Sequence, residues 1–163
     1  MRTLGAPCTR RTGTWLCLVV AIGACTAAPI DPRDQVLRLV ERLVEAVEEG
    51  DPRVILEHVA FDFRSEDGLT YPDVQSIVLE YLVPARTIGA RLESVEVDSV
   101  STPSTEGEGE LQVRARVRFA RGTSLRSNLP PPPGSVLYVF ELRFRRGDRG
   151  WEAARGSYRR LAR

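Results

Sequence analysis

The sequence predicts an α+β domain in which three N-terminal helices pack against an antiparallel sheet, and three observations carry that prediction. Apolar residues recur at helical spacing in three segments before Pro84. Beyond Pro84 the period changes to strict alternation of apolar and polar residues, the mark of half-buried strands. The last two alternating runs are separated only by Arg146-Gly147-Asp148-Arg149-Gly150, a hairpin turn.

The first helix is expected over Asp34 to Glu49. Val36, Leu37, Leu39, Val40, Leu43, Val44 and Val47 form a broad apolar face, with Arg38, Glu41, Arg42, Glu45 and Glu48 mostly opposite. Gly50 closes it. Asp51-Pro52 then supplies an N-cap followed by a first-turn proline, starting a shorter second helix through Ala60. Phe61 and Phe63 flank Asp62 ahead of a turn-rich stretch from Arg64 to Leu69. Thr70 and Asp73 form a capping pair around Pro72, and Val74, Ile77, Val78, Tyr81 and Leu82 follow at helical spacing in a third helix ending before Pro84.

The first strand runs through Ile88, Ala90 and Leu92, then Val95 and Val97, with its register slipping at Glu93-Ser94 as a bulge would cause. Leu111, Val113, Ala115, Val117 and Phe119 alternate with Gln112, Arg114, Arg116 and Arg118 in the clearest strand of the chain. Val136, Tyr138, Phe140, Leu142 and Phe144 repeat the pattern, and a final strand begins at Trp151. Two loops, Ser101 to Gly109 and Gly122 to Gly134, interrupt the sheet, and Pro130 to Pro133 keep the second out of any central strand, because proline donates no ladder hydrogen bond.

Ahead of this domain stands a leader. Arg2, Arg10 and Arg11 are followed by an apolar run from Leu16 to Ala24, the pattern of a secretory signal. About nine residues at ~1.5 Å each reach roughly 14 Å, half of the ~30 Å that a spanning helix must cross. Ile22-Gly23-Ala24-Cys25 resembles the lipobox of bacterial lipoproteins. That resemblance implies a signal peptide over 1–24, lipidation of Cys25 with fatty acyl chains such as palmitate, a tether over 25–33, a domain over 34–163, and a place in the cell envelope with the membrane as partner through the lipid. Ordinary signal-peptidase cleavage near Ala24 or Ala28, giving a secreted protein, is the competing reading. Cys8, Cys17 and Cys25 are the only cysteines, so the domain beyond the cut holds no thiol for a disulfide or a metal site.

The formal charge of +1 becomes −2 once the three leader arginines are removed, which is not the balance of a nucleic-acid binder. There is no lysine. Arg114, Arg116 and Arg118 share one strand face, which Arg143 and Arg145 extend on the neighbour; Glu141 with other acids is expected to pair with them as ordinary solvated sheet surface, the alternative being a basic face that meets anionic lipid headgroups, lipopolysaccharide or an acidic protein.

Helices followed by sheet, with Glu49-Gly50-Asp51 at the first corner and Gly147-Asp148-Arg149-Gly150-Trp151 in the last hairpin, resemble the nuclear transport factor 2-like superfamily over residues 34–160. The resemblance implies a curved sheet wrapped as a cone around the helices, with Phe119, Tyr138, Phe140, Phe144 and Trp151 supplying core and pocket wall. The superfamily includes ketosteroid isomerase-like enzymes. In those a carboxylate abstracts a proton while a tyrosine and a protonated acid stabilise the enolate. The base position falls near Asp67 or Glu66, but Leu43 stands where the oxyanion tyrosine would be, and Asp67-Gly68 reads as a turn.

His58, the only histidine, has Asp62 four positions on, a base and orienter if the helix extends that far, but no nucleophile completes a triad. Asp62, Glu66, Asp67 and Asp73 lack the ligand spacing of a calcium loop, and no metal or cofactor is implied. The sequence thus predicts a non-catalytic envelope lipoprotein that binds a small apolar ligand or a protein. The alternatives are a small-molecule enzyme using Asp67, Glu66 or His58, and a structural subunit pairing as a homodimer.

Overall fold

The computed structural model describes residues 30–82, 88–100, 109–125 and 130–161. Cys25, the leader, the tether up to residue 29 and most of the Ser101 to Gly109 loop lie outside the described residues. The elements in chain order are α1 (Pro32–Glu49), α2 (Pro52–Glu57), β1 (Val59–Ser65), α3 (Tyr71–Leu82), β2 (Ile88–Val100), β3 (Glu110–Arg121), β4 (Val136–Gly147) and β5 (Gly150–Leu161).

Helix α1 starts where an acid meets a proline. Asp31 accepts a hydrogen bond from the Arg33 amide at 2.8 Å, Pro32 occupies the first turn, and Gly50 ends the helix in the left-handed conformation at φ 67°. The Asp51 amide then donates to Ala46 O at 2.9 Å, while its carboxylate caps α2 by accepting from the Arg53 amide at 3.0 Å. One tight corner thus closes one helix and opens the next.

The sheet has the order β1-β5-β4-β3-β2. Strands β2 to β5 form an antiparallel meander, and the expected bulge appears as a register shift between Leu92 and Ser94. The expected wholly antiparallel sheet is corrected at one edge, because β1 pairs with β5 in parallel. The second helix is corrected with it: it stops at Glu57 rather than Ala60, with His58 as its cap. The reason lies about ninety residues away, where the Ala153 amide donates to His58 O at 2.8 Å and draws the following residues into the sheet.

The helices divide the remaining work. Helix α1 lies mainly on β2, where Val36, Leu39 and Val40 meet Ala90, Leu111, Val113, Ala115, Val117, Phe144, Trp151 and Ala153 in one core. Phe144, Val36 and Val113 are fully buried, each large apolar side chain contributing about 1.5–3 kcal/mol. Helix α2 packs mainly on α1 and α3, and α3 packs on the edge strand β1 and on α2, so the three helices do not share the sheet equally. Among the described residues no helix is long and apolar enough to cross a membrane.

Candidate functional site

Cross-strand register decides which side chains share a face. Leu111, Val113, Ala115, Val117 and Phe119 of β3 stand opposite Phe144, Leu142, Phe140, Tyr138 and Val136 of β4, all on the face that α1 covers. On β5, Gly156 and Tyr158 oppose Leu142 and Phe140. Beyond the core this face becomes an aromatic cluster. Phe119 meets Tyr138 at 5.8 Å and Phe140 at 6.2 Å between ring centroids, both edge to face, and Tyr158 lies 6.2 Å from Phe140 and 6.3 Å from Tyr138. These distances suit favourable aromatic pairing. Phe144 and Trp151 belong to the buried core, whereas Phe119, Tyr138 and Phe140 are half-buried and Tyr158 is 51% exposed.

Tyr158 escapes a reading of the sequence. Alternation from Trp151 would put it on the outer face, but β5 carries an extra residue at Ala154, because Arg143 opposes Arg155 while the next residue, Phe144, opposes Ala153. The bulge reverses the parity and turns Tyr158 inward. Trp151 is held by its indole N–H, which donates to Gln35 Oε1 on α1 at 3.1 Å.

The titratable candidates lie elsewhere. His58 is half-buried at the end of α2, with Nδ1 3.0 Å from Trp151 O; a carbonyl only accepts, so Nδ1 carries the proton. Asp62, its proposed orienter, is out of the pair. It sits on β1, where the Arg145 guanidinium bonds its carboxylate and holds its pKa below the ordinary carboxylate value. Glu66 and Asp67 are both exposed in the turn after β1. There the Gly68 amide donates to Ser65 O at 3.1 Å, the Leu69 amide donates to Ser65 Oγ at 2.8 Å, and Gly68 adopts φ 85°. Asp73 closes the expected capping pair, accepting from the Thr70 amide at 2.8 Å and the Thr70 hydroxyl at 2.6 Å. These bonds, the hydroxyl's first, lower its pKa. Leu43 is half-buried against the core. Among the described residues no three His, Cys, Asp or Glu side chains gather as a metal site.

The outer face is polar. Arg114 pairs with Glu141 at 3.1 Å, Arg118 with Glu93, and Arg145 with Asp62. An open cleft of about 440 Å³ crosses this face beside β1.

No protein-family profile and no curated protein sequence matches this chain. Solved structures do. A Pseudomonas putida nuclear transport factor 2-like protein of unknown function is similar at a TM-score of 0.58 and 14% identity, over 77% of this chain and 84% of that one. The fold is that of the nuclear transport factor 2-like proteins. A candidate dehydratase of this fold from Streptomyces avermitilis also has a TM-score of 0.58, at 16% identity over 80% of this chain and 96% of its own. Bd1075 of Bdellovibrio bacteriovorus reaches 0.59 at 12% identity over 78% of this chain, which spans only 41% of the length of Bd1075.

Proposed function

We propose that this chain is a lipid-anchored protein of the bacterial cell envelope whose domain binds a small apolar ligand or a protein partner without catalysis. The observation that carries the anchor is Ile22-Gly23-Ala24-Cys25, at the end of a short apolar run that follows a basic start. One acyl chain binds membranes only marginally, whereas several, at about 0.8 kcal/mol per buried methylene, hold a protein there.

The aromatic face supports the binding part of the proposal. It offers ring faces and two phenol groups, suited to an apolar ligand with a polar tip. The paired strand positions sharing that face from β2 to β5 include no Asp, Glu or His, so the strands supply no base to the place where an apolar ligand would lie. The likeness to a candidate dehydratase favours a second reading, a small-molecule enzyme of the ketosteroid isomerase-like type. That reading needs Asp67 or Glu66 to reach the aromatic face, and both stand exposed on a turn at the sheet edge.

The anchor is tested by growing a bacterial host with a fatty-acid probe and comparing the native chain with Cys25→Ser. Label on the native chain and none on the variant is the expected result. Equal labelling of both removes Cys25 as the attachment point.

A further inference from the structure

Four adjacent strands bring one polar row onto the outer face. Gln112 of β3 opposes Arg143 of β4, Arg143 opposes Arg155 of β5, and Arg155 stands beside Arg64 of β1. Neighbouring strands lie about 4.7–4.9 Å apart, so three guanidinium groups leave the sheet from adjacent positions. Like charges directly opposite one another in a sheet repel. All four residues line the 440 Å³ cleft, together with Ser157.

Three other arginines of the outer face are held differently, whereas Arg116 and Arg159 have no carboxylate partner among the described residues. Arg114, Arg118 and Arg145 each have a carboxylate partner. Among the described residues, the Arg143 and Arg155 side chains make no hydrogen bond or ion pair, and Arg64 gives a single bond, from Nη1 to Phe63 O at 2.8 Å. Glu141 also borders the cleft, but Arg114 already holds it through Nε and Nη2. Glu66 borders it from the exposed turn.

We propose that Arg64, Arg143 and Arg155 form a binding site for a phosphate-bearing ligand on the outer face of the sheet. Donor arithmetic selects phosphate over a lone carboxylate. Each guanidinium brings about five N–H donors in a planar fork, whereas a carboxylate offers about four lone-pair sites and is satisfied by one bidentate arginine. A phosphate presents three or more oxygens in different directions and so bridges neighbouring forks. Gln112 and Ser157 add neutral groups able to bond an ester or hydroxyl oxygen. The site lies on the sheet face opposite the aromatic cluster and does not depend on lipid at Cys25. The phosphate can belong to a small soluble ester or to the headgroup of an anionic phospholipid.

The test is calorimetric titration of the full chain, held in neutral detergent, with inorganic phosphate, glycerol phosphate and phosphatidylglycerol dispersed in the same micelles. Saturable binding that weakens with added salt is expected for at least one of the three. The double variant Arg143→Gln, Arg155→Gln should lose on the order of a hundredfold in affinity, since each charge-assisted bond carries about tenfold. Arg38→Gln with Arg42→Gln, an equal charge loss on α1, should bind as the native chain does. Tighter binding of phosphatidylglycerol than of glycerol phosphate identifies a headgroup site, and the reverse identifies a site for a soluble ester. No saturable binding of any probe, or equal loss in the two double variants, overturns the proposal. Circular dichroism of the variants separates lost binding from lost fold, and labelling at Cys25 is unaffected by either result.

Discussion

Gly89 offers a test whose sign differs between local and tertiary reasoning. Glycine within a strand is ordinarily worse than alanine by about 0.5–1 kcal/mol, so Gly89→Ala judged on β2 alone should stabilise. In the folded chain a Cβ at this position would lie 2.1 Å from Thr123 O, 2.9 Å from Leu125 N and 3.0 Å from Leu125 Cγ. The segment after β3 would have to retreat by roughly 1.3 Å to reach the 3.4 Å at which ordinary contact begins. That segment is not free to move. Glu48 of α1 accepts hydrogen bonds from the Leu125 amide at 2.9 Å, the Ser124 hydroxyl at 3.1 Å and the Ala90 amide at 3.3 Å, and Leu125 is itself buried.

Overpacking costs about 1–3 kcal/mol, and a broken bond to a charged acceptor about 1.5–3 kcal/mol. Set against the propensity gain, Gly89→Ala should destabilise by about 2–5 kcal/mol, lowering the urea midpoint by about 1–2 M. Gly109→Ala serves as the control, because its Cβ meets nothing within 4 Å. It should stay within about 0.5 kcal/mol of the parent. An unchanged or higher midpoint for Gly89→Ala would refute both the close approach and the clamp by Glu48.

Further outcomes follow from the same contacts. Phe144→Ala removes a fully buried ring and should cost about 3–5 kcal/mol, or about 6–20 °C in melting temperature, whereas Tyr158→Ala, half in solvent, should cost about 0.5–1.5 kcal/mol; similar losses at both sites would contradict the assigned burial. Asp73 has its pKa lowered in the fold by the Thr70 hydroxyl and amide, so its contribution is present above the unfolded value of about 3.9 and disappears as pH falls through the lower folded value. Asp73→Asn should therefore lower the urea midpoint at neutral pH and reduce the further loss as pH falls below the unfolded value. Parallel pH profiles for variant and parent would remove the Thr70–Asp73 pair as a source of acid sensitivity.

Much of the fold was legible because it is encoded over short distances. The Gly50 stop of α1, the Asp51-Pro52 corner, the Thr70–Asp73 pair and the Glu93-Ser94 bulge all depend on residues a few positions apart. Strand β1 was not legible. Val59, Phe61 and Phe63 alternate as though all three faced inward, yet Phe61 is 71% exposed, because the register of β1 on β5 shifts between Val59 and Arg64. Phe61 instead meets Tyr71 edge to face at 5.0 Å and carries the Arg149 guanidinium over its ring.

The candidate site divides in the same way. The aromatic residues of β3 and β4 could be placed from period alone, since both strands run straight through their pairing. Tyr158 could not, because one extra residue in β5 reverses the faces.

By itself the amino-acid sequence determined the helices α1 and α3, the dry and wet faces of β3 and β4, and the capped corners between the helices. These are properties of a chain's own neighbours: propensity, period and short hydrogen bonds. Only the tertiary structure decided that β1 joins the sheet in parallel, that His58 bonds Trp151 O rather than Asp62, and that Arg64, Arg143 and Arg155 stand in one row. Each of those depends on register between segments far apart in the chain, and a slip of one residue sends every side chain to the opposite face.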